Sequence, residues 1–191
     1  MTTPAASTRK YTPAEYLEAE RQSGEKYAYY NGTIEPGAGA SISHNRIVRN
    51  LLTSLSNLFS KEERFEAFGS DQKIYLPRYN YYLYPDAVVV AETPEVAEGV
   101  VEAIVNPLLI FEVLSPSSEK YDRGEKFVEY QSIPSFKEYV LVRQDAAELT
   151  LFFREQQDLW RSTEVSGLYS QAHLRSVDAM LALADVYFKV L

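Results

Sequence analysis

Two apolar runs, residues 87–90 and 107–114, place the strongest constraint on how this chain folds. Both are short and rich in Val, Ile and Leu, which is typical of strands that are buried on both faces. One carboxylate accompanies each run. Asp86 directly precedes the first run, and Glu112 lies inside the second. We therefore predict two neighbouring buried strands that place Asp86 and Glu112 at a sheet edge.

The rest of the chain mixes helical and strand periodicity, which predicts an α/β (α+β) fold with a mixed sheet. Helices are predicted from a Thr12–Glu15 capping box over residues 13–21, from a cap at Ser41 or Ser43 through the apolar residues 47–59, and over residues 119–132. On the last of these, Arg123, Phe127 and Tyr130 are expected to share a face. Strands are predicted over residues 27–30, 33–35, 64–68, 72–76, 81–90, 107–114, 138–142, 149–154 and 159–165. The tail, residues 177–191, is expected to form a short strand and then a helical turn.

Length and composition predict one domain over residues 11–191, preceded by a flexible tail at residues 1–10. The 191 residues include no cysteine, which excludes disulfides, zinc–thiolate sites and cysteine nucleophiles. No run reaches membrane-spanning length, and the N-terminus lacks the apolar core of a signal peptide. We expect a cytoplasmic protein without a membrane partner. The net charge of −8 argues against a broadly basic surface for nonspecific nucleic-acid binding.

A carboxylate among buried residues is costly unless it is paired or binds a cation. If Asp86 and Glu112 lie side by side, a hard divalent ion such as Mg²⁺ resolves their repulsion. The backbone carbonyl of Val113 could then complete the oxygen shell. The alternative is that Asp86 caps a turn after Pro85 while Glu112 pairs with a nearby Lys or Arg.

Two further groups could serve such a site. Lys126 could point over the strand end and position water or offset charge on a phosphate. Alternatively, Asp122 and Lys126 form an i,i+4 surface pair. His44, one of two histidines, could contact a substrate or support the site, or it could be a core or capping residue, while His173 has no companion motif.

Other chemistries lack support in this sequence. The Walker loop, Gly-x-Gly-x-x-Gly, His-Glu-x-x-His and Gly-x-Ser-x-Gly motifs are all absent. Ser115 and Ser117 have no adjacent His for a serine hydrolase. The fifteen tyrosines could stack on bases, but the cluster at residues 79–84 alternates as cross-strand packing requires.

Several motifs at fixed spacing resemble the Uma2 family (DUF820), which is abundant in cyanobacteria. They are Tyr84-Pro85-Asp86, the Phe-Glu-Val-Leu-Ser-Pro-Ser run at residues 111–117, Tyr-Asp-Arg-Gly-Glu-Lys at residues 121–126, Glu138-Tyr139, and upstream matches at residues 29–32, 39–41 and 44–45. The resemblance covers nearly the whole chain. Pro-Asp alone is a weak signal, but the fixed spacing between the motifs at residues 111–117 and 121–126 is specific.

The resemblance implies a PD-(D/E)XK, restriction-endonuclease-like core, with a mixed β-sheet flanked by helices and a metal held by Asp86 and Glu112. The Lys of that superfamily would fall at Leu114, so its role looks displaced to Lys126. The resemblance also favours an active-site location for His44 and Asp122. The implied activity is Mg²⁺- or Mn²⁺-dependent hydrolysis of DNA. A homodimer is an open expectation, because many enzymes of the superfamily pair to cut two strands.

Two positions depart from the family pattern. Many members resemble Tyr-Glu-Tyr-x-x-Gly where this chain has Ala28, and Pro36 replaces an apolar residue such as Met.

In the nuclease hypothesis, the DNA-backbone cleft is lined by Arg46, Arg49, Lys120 and Arg123. The rival hypothesis is a catalytically weak or inactive nuclease-fold protein that acts as a binding module, which the −8 charge and Ala28 favour.

Overall fold

The chain folds into mixed sheets flanked by helices, which confirms the predicted α/β (α+β) class. The computed structural model describes residues 9–37, 39–97 and 103–191. Its helices are α1 (Pro13–Ser23), α2 (Ile42–Leu58), α3 (Glu119–Arg123), α4 (Glu125–Tyr130) and α5 (Leu183–Val186). Its strands are β1 (Tyr27–Tyr30), β2 (Thr33–Pro36), β3 (Phe65–Gly69), β4 (Lys73–Leu76), β5 (Tyr81–Leu83), β6 (Ala87–Ala91), β7 (Ala103–Ile104), β8 (Pro107–Val113), β9 (Glu138–Val142), β10 (Glu148–Gln156), β11 (Leu159–Ser166), β12 (Gln171–Leu174) and β13 (Ala179–Ala182).

The largest sheet carries both predicted buried strands in its interior. Its strand order is β11-β10-β9-β8-β6-β3. The β8–β9 pair is parallel and the other pairs are antiparallel. The expected sheet-edge position is therefore wrong in one respect: β6 and β8 are neighbouring central strands, and Asp86 and Glu112 lie near their ends rather than on an edge strand.

A second sheet, in the order β2-β1-β5-β4-β7, collects the tyrosines. Tyr82 packs against Tyr29 with ring centroids 5.7 Å apart and against Tyr75 at 4.5 Å. Tyr16 of α1 covers the same cluster. The tyrosines therefore pack across strands, as the alternation predicted. The remaining pair, β12 and β13, forms a small hairpin.

The six-stranded sheet separates two apolar cores. On one face, α2 buries Ile47, Leu51 and Leu55 together with α5 and the β12–β13 hairpin. The helical spacing of these three residues explains why this face of α2 turns inward. The other face packs against Tyr130 and Phe136, which belong to α4 and the segment after it. The helices that carry His44 and Lys126, α2 and α4, are thus fixed by buried apolar contacts.

The predicted strand over residues 81–90 is wrong, because the chain breaks it at Tyr84-Pro85-Asp86. The first part becomes β5 and the second becomes β6, and these strands belong to different sheets. Pro85 has no N–H for a ladder hydrogen bond, which favours a break at this point. The break moves Asp86 out of regular strand geometry.

The predicted helix over residues 119–132 is also interrupted. Gly124 separates α3 from α4 with φ −117° and ψ −98°. A Cβ at this position would lie 3.1 Å from the backbone oxygen of Lys120, so the close approach favours glycine. Because of the break, Arg123 is exposed and bonds to Glu119, whereas Tyr130 is fully buried. The expected shared face of Arg123 and Tyr130 is therefore wrong.

The predicted tail is confirmed, since β13 leads directly into α5. Short strands β7 and β12 were not predicted. Most of the predicted N-terminal tail lies outside the described residues, although Lys10 contacts Thr33. No helix in the described part of the chain is long and apolar enough to cross a membrane.

Candidate metal centre

Asp86 and Glu112 both lie at the end of the β6–β8 ladder. The ladder pairs Ala87 with Phe111 and Val88 with Ile110, so one step further brings Asp86 opposite Glu112. Asp86 itself precedes β6, but its carboxylate accepts the backbone N–H of Val113, the residue after Glu112, which holds Asp86 beside this end of β8. The register therefore brings together the two carboxylates that the sequence singled out.

The carboxylate of Asp86 is held by two contacts. Its Oδ2 accepts a hydrogen bond from the backbone N–H of Val113 at 2.7 Å. The same oxygen lies 3.2 Å from Nε2 of His44, which α2 brings over the strand end. His44 therefore lies beside Asp86 rather than in the apolar core, and its buried Nδ1 has no hydrogen-bond partner among the described residues.

Glu112 is paired with a cation. Its Oε1 lies 2.7 Å from Nζ of Lys126, and the same ammonium contacts Oδ1 of Asp122 at 3.2 Å. The side chains of Glu112 and Asp122 are each only 4% exposed, so this is a buried triad and not a surface pair. This contact agrees with one part of the alternative prediction, namely that Glu112 pairs with a nearby Lys or Arg.

The charges of the triad shift its protonation equilibria. Burial raises the pKa of Glu112 well above its ordinary value; the Lys126 ammonium opposes this shift, and the Asp122 and Asp86 charges add to it. Burial alone would lower the pKa of Lys126, but Glu112 and Asp122 together raise it. Lys126 is therefore held in its charged form, within a cluster that contains three carboxylates and one ammonium.

Two buried tyrosines complete the surroundings of the triad. The Tyr130 hydroxyl donates to Oε1 of Glu112 at 3.3 Å, and the Tyr139 hydroxyl donates to the backbone oxygen of Asp122 at 3.0 Å. Burial, reinforced by the charge of Glu112, raises the pKa of both tyrosines, so both remain donors. The sequence alone did not predict these roles, although Tyr130 lies one helical turn after Lys126.

Glu112 and Asp86 form a paired set of oxygens without a preformed cage. In the part of the chain that the structure describes, no group of three or more His, Asp or Glu side chains is arranged to hold a metal ion. The described hydrogen bonds use Oδ2 of Asp86 and Oε1 of Glu112. The second oxygen of each carboxylate can therefore face a cation without breaking these contacts.

The basic residues expected in a DNA cleft are spread over helix surfaces. Arg49 donates to Asn50, and Arg123 to Glu119. At 100° per residue, Arg46 and Arg49 lie about 160° and 140° around α2 from His44. They are therefore on the side of the helix that faces away from Asp86. Lys120 is exposed on α3.

The departures from the family pattern both lie in the first hairpin. Ala28 is on β1, directly opposite Glu35 on β2, and Pro36 ends β2. Ala28 packs against the core that contains Tyr130. The hairpin approaches the triad through Tyr30, whose ring makes an edge contact with Tyr121 of α3 at 6.3 Å.

Comparison with known proteins assigns the chain to a family. The family model for Uma2, described as "Putative restriction endonuclease", matches residues 13–184. This chain belongs to the Uma2 family. The match includes all the predicted site residues of this Uma2 chain, from His44 to Lys126.

Two relatives of this Uma2 protein come from Synechocystis sp. Uncharacterized protein sll1609 is 38% identical over 162 residues, covering 85% of this chain and 91% of the relative. Uncharacterized protein slr1290 is 34% identical over 184 residues, covering 96% and 95%. Both alignments extend over almost the full length of each protein.

A solved structure from Anabaena variabilis, described as a "putative nuclease belonging to DUF820", has the same fold. It superposes with a TM-score of 0.75 over 95% of this Uma2 chain and 99% of its own, at 14% identity. The likeness therefore extends across the whole fold although the sequences have diverged strongly. It confirms the expected fold class, a mixed sheet flanked by helices.

Proposed function

We propose that this Uma2 protein is an endonuclease that hydrolyses DNA phosphodiester bonds with Mg²⁺ or Mn²⁺ held by Asp86 and Glu112. The observation that carries the proposal is the register that sets the two carboxylates opposite each other, with Lys126 at 2.7 Å from Glu112. The description of the family as "Putative restriction endonuclease" supports the same chemistry.

The donor set fits a hard divalent cation. Mg²⁺ and Mn²⁺ favour carboxylate and carbonyl oxygens. Asp86 and Glu112 each offer one oxygen, and the backbone carbonyl of Val113 is the predicted third ligand. The cluster holds the carboxyl groups of Asp86, Glu112 and Asp122 but only one ammonium, that of Lys126, so acidic groups outnumber the lysine and a divalent cation would offset the excess.

A bound divalent cation would lower the pKa of a coordinated water and polarise the phosphate. Lys126, which stays charged, stabilises negative charge that develops on the phosphate or orients the attacking water. Asp122 holds the Lys126 ammonium on its second side. His44 contacts Oδ2 of Asp86, so the other oxygen of that carboxylate would be available to hold the metal.

The substrate class follows from the same chemistry. DNA is a polyanion, and the chain carries a net charge of −8, so binding has to depend on the metal and on locally placed cations. Lys120 and Arg123, on the helix before Lys126, are the predicted backbone contacts nearest to the triad. A homodimer, which would let two copies cut both strands, stays a prediction that sedimentation velocity can test.

The rival function is a binding module that keeps the nuclease fold without turnover. The −8 charge and the absence of a carboxylate at Ala28 favour it. The two functions differ in one outcome: the endonuclease breaks phosphodiester bonds when the metal is supplied, whereas the binding module does not.

The test is nicking of supercoiled plasmid with Mg²⁺ or Mn²⁺. Wild type should nick, and Asp86→Ala, Glu112→Ala and Lys126→Met should each lose at least about 100-fold. Asp158→Ala, in the exposed β10–β11 turn, is the matched control and should match wild type. Mn²⁺ binding by calorimetry separates the two functions: binding without nicking supports the binding module. Wild-type nicking that persists in the three variants would contradict the assigned residues.

A further inference from the structure

The side chain of Gln144 connects two elements of the centre. One is α2, which carries His44, the partner of Asp86; the other is β8, which carries Glu112. The Ser41 hydroxyl donates to Oε1 of Gln144 at 2.6 Å. Nε2 of Gln144 donates to the backbone oxygen of Leu114, also at 2.6 Å. The two bonds span 103 and 30 residues of sequence.

At its α2 end, the bridge reaches His44. Ser41 is the N-cap of α2, and its hydroxyl accepts the backbone N–H of His44 at 3.0 Å. The Nε2 atom of the same His44 lies 3.2 Å from Asp86. The hydroxyl of Ser41 therefore serves as acceptor for the helix and as donor for Gln144, so a shift of Gln144 is transmitted to the first turn of α2.

At its sheet end, the bridge reaches the strand that carries Glu112. Leu114 follows β8 directly, and its backbone N–H donates to Val142 at the end of β9. Glu112 is two residues before Leu114. Gln144 thus connects the helix that holds His44 against Asp86 with the strand that holds Glu112 against Lys126.

We propose that Gln144 is a positioning residue that sets the distance between the His44–Asp86 half and the Glu112–Lys126 half of the centre. The proposal rests on the proposed endonuclease function. An amide suits this place because it donates and accepts at once, as the carbonyl of Leu114 and the hydroxyl of Ser41 require. Ile47, Leu51 and Leu55 anchor α2 from its second turn onward, and the bridge adds a polar contact at its first turn.

Kinetics and histidine NMR test the proposal in the full-length protein. Gln144→Ala, and the near-isosteric Gln144→Met in case the first variant does not fold, should lower kcat for Mg²⁺-dependent nicking by roughly 10–100-fold. KM for plasmid should stay within about two-fold, because Gln144 acts through other residues. Gln157→Ala, in an exposed turn, should leave both constants unchanged.

The NMR measurement does not depend on turnover. The chain has two histidines, so His173→Gln assigns the His44 ring signals. These signals should shift in Gln144→Ala and Gln144→Met but not in Gln157→Ala. In a His44→Ala background, Gln144→Ala should lower kcat by less than about two-fold further, because the two residues act as a unit.

The outcomes distinguish a failure of the endonuclease function from a failure of the positioning role of Gln144. If wild type does not nick while the Gln144 variants still shift the His44 signals, the endonuclease function fails and the bridge stands. If wild type nicks, but the His44 signals stay fixed or the His44 and Gln144 effects multiply independently, the positioning role of Gln144 is overturned.

Discussion

The ammonium of Lys126 lies 2.7 Å from Oε1 of Glu112, although the two residues belong to different elements, α4 and β8. The superfamily pattern would place a lysine at Leu114, two residues after Glu112 on the same strand. Here the lysine reaches the same carboxylate from the following helix. The break at Gly124 and the burial of Tyr130 set the position of α4 that allows this contact.

Lys126→Met should destabilise the protein by about 3–5 kcal/mol, because it leaves Glu112 and Asp122 buried without their cation. Urea denaturation at pH 7 measures the loss. Lys137→Met removes an exposed lysine and should cost less than about 0.5 kcal/mol. A loss below about 1 kcal/mol in Lys126→Met would mean that the triad is solvated in solution.

Tyr130→Phe should cost about 1 kcal/mol of stability, because the buried Oε1 of Glu112 loses a donor but keeps Lys126. Nicking should fall by less than about ten-fold, since Tyr130 touches only the oxygen that faces away from the proposed metal. Urea denaturation and plasmid nicking test this. Tyr169→Phe, at a side chain that is 93% exposed, is the control. Complete loss of nicking in Tyr130→Phe would assign this hydroxyl a direct role in the reaction.

Lys73→Met should destabilise the protein by about 3–5 kcal/mol, because it leaves the buried Glu20 carboxylate without its cation. Glu20 and Lys73 form a buried ion pair, and the Tyr84 hydroxyl donates to the same Glu20 at 2.8 Å. The double variant Lys73→Met/Glu20→Gln should recover more than half of the loss, because the buried group is then neutral. Urea denaturation of both variants checks this, and equal stability of single and double variants would contradict it.

Glu138 should make stability depend on pH. Its carboxylate, fully buried at the start of β9, accepts bonds from Arg175 and Ser176, yet burial outweighs these donors and raises its pKa. A raised pKa in the folded state contributes stability below the unfolded pKa and loses it as pH rises through the folded pKa. Wild type should therefore lose stability relative to Glu138→Gln over this range and show no further change above it.

Urea denaturation of wild type and Glu138→Gln at several pH values between 4 and 8 measures this difference. Glu164→Gln, on the exposed strand β11, should parallel wild type throughout. A constant difference between wild type and Glu138→Gln across the range would mean that the Glu138 carboxylate titrates alike in the folded and unfolded protein.

Local sequence signals accounted for much of the fold. The Thr12–Glu15 capping box and the Asn31-Gly32 turn are decided by near neighbours, and the structure shows both. The two wrong elements, the strand over residues 81–90 and the helix over residues 119–132, failed at Pro85 and Gly124. Proline and glycine both favour breaks in regular structure. The apolar residues on either side of them nevertheless predicted one continuous strand and one continuous helix.

The sequence by itself determined which groups were available: two carboxylates in buried strands, a lysine one helix later, and a family pattern that links them. Only the tertiary structure decided that Asp86 stands opposite Glu112, that Lys126 turns inward to Glu112 and Asp122, and that His44 lies against Asp86. Gln144 gave no sequence signal at all. These relationships depend on strand register and helix packing between residues far apart in the chain, where the energy of long-range burial outweighs local preference.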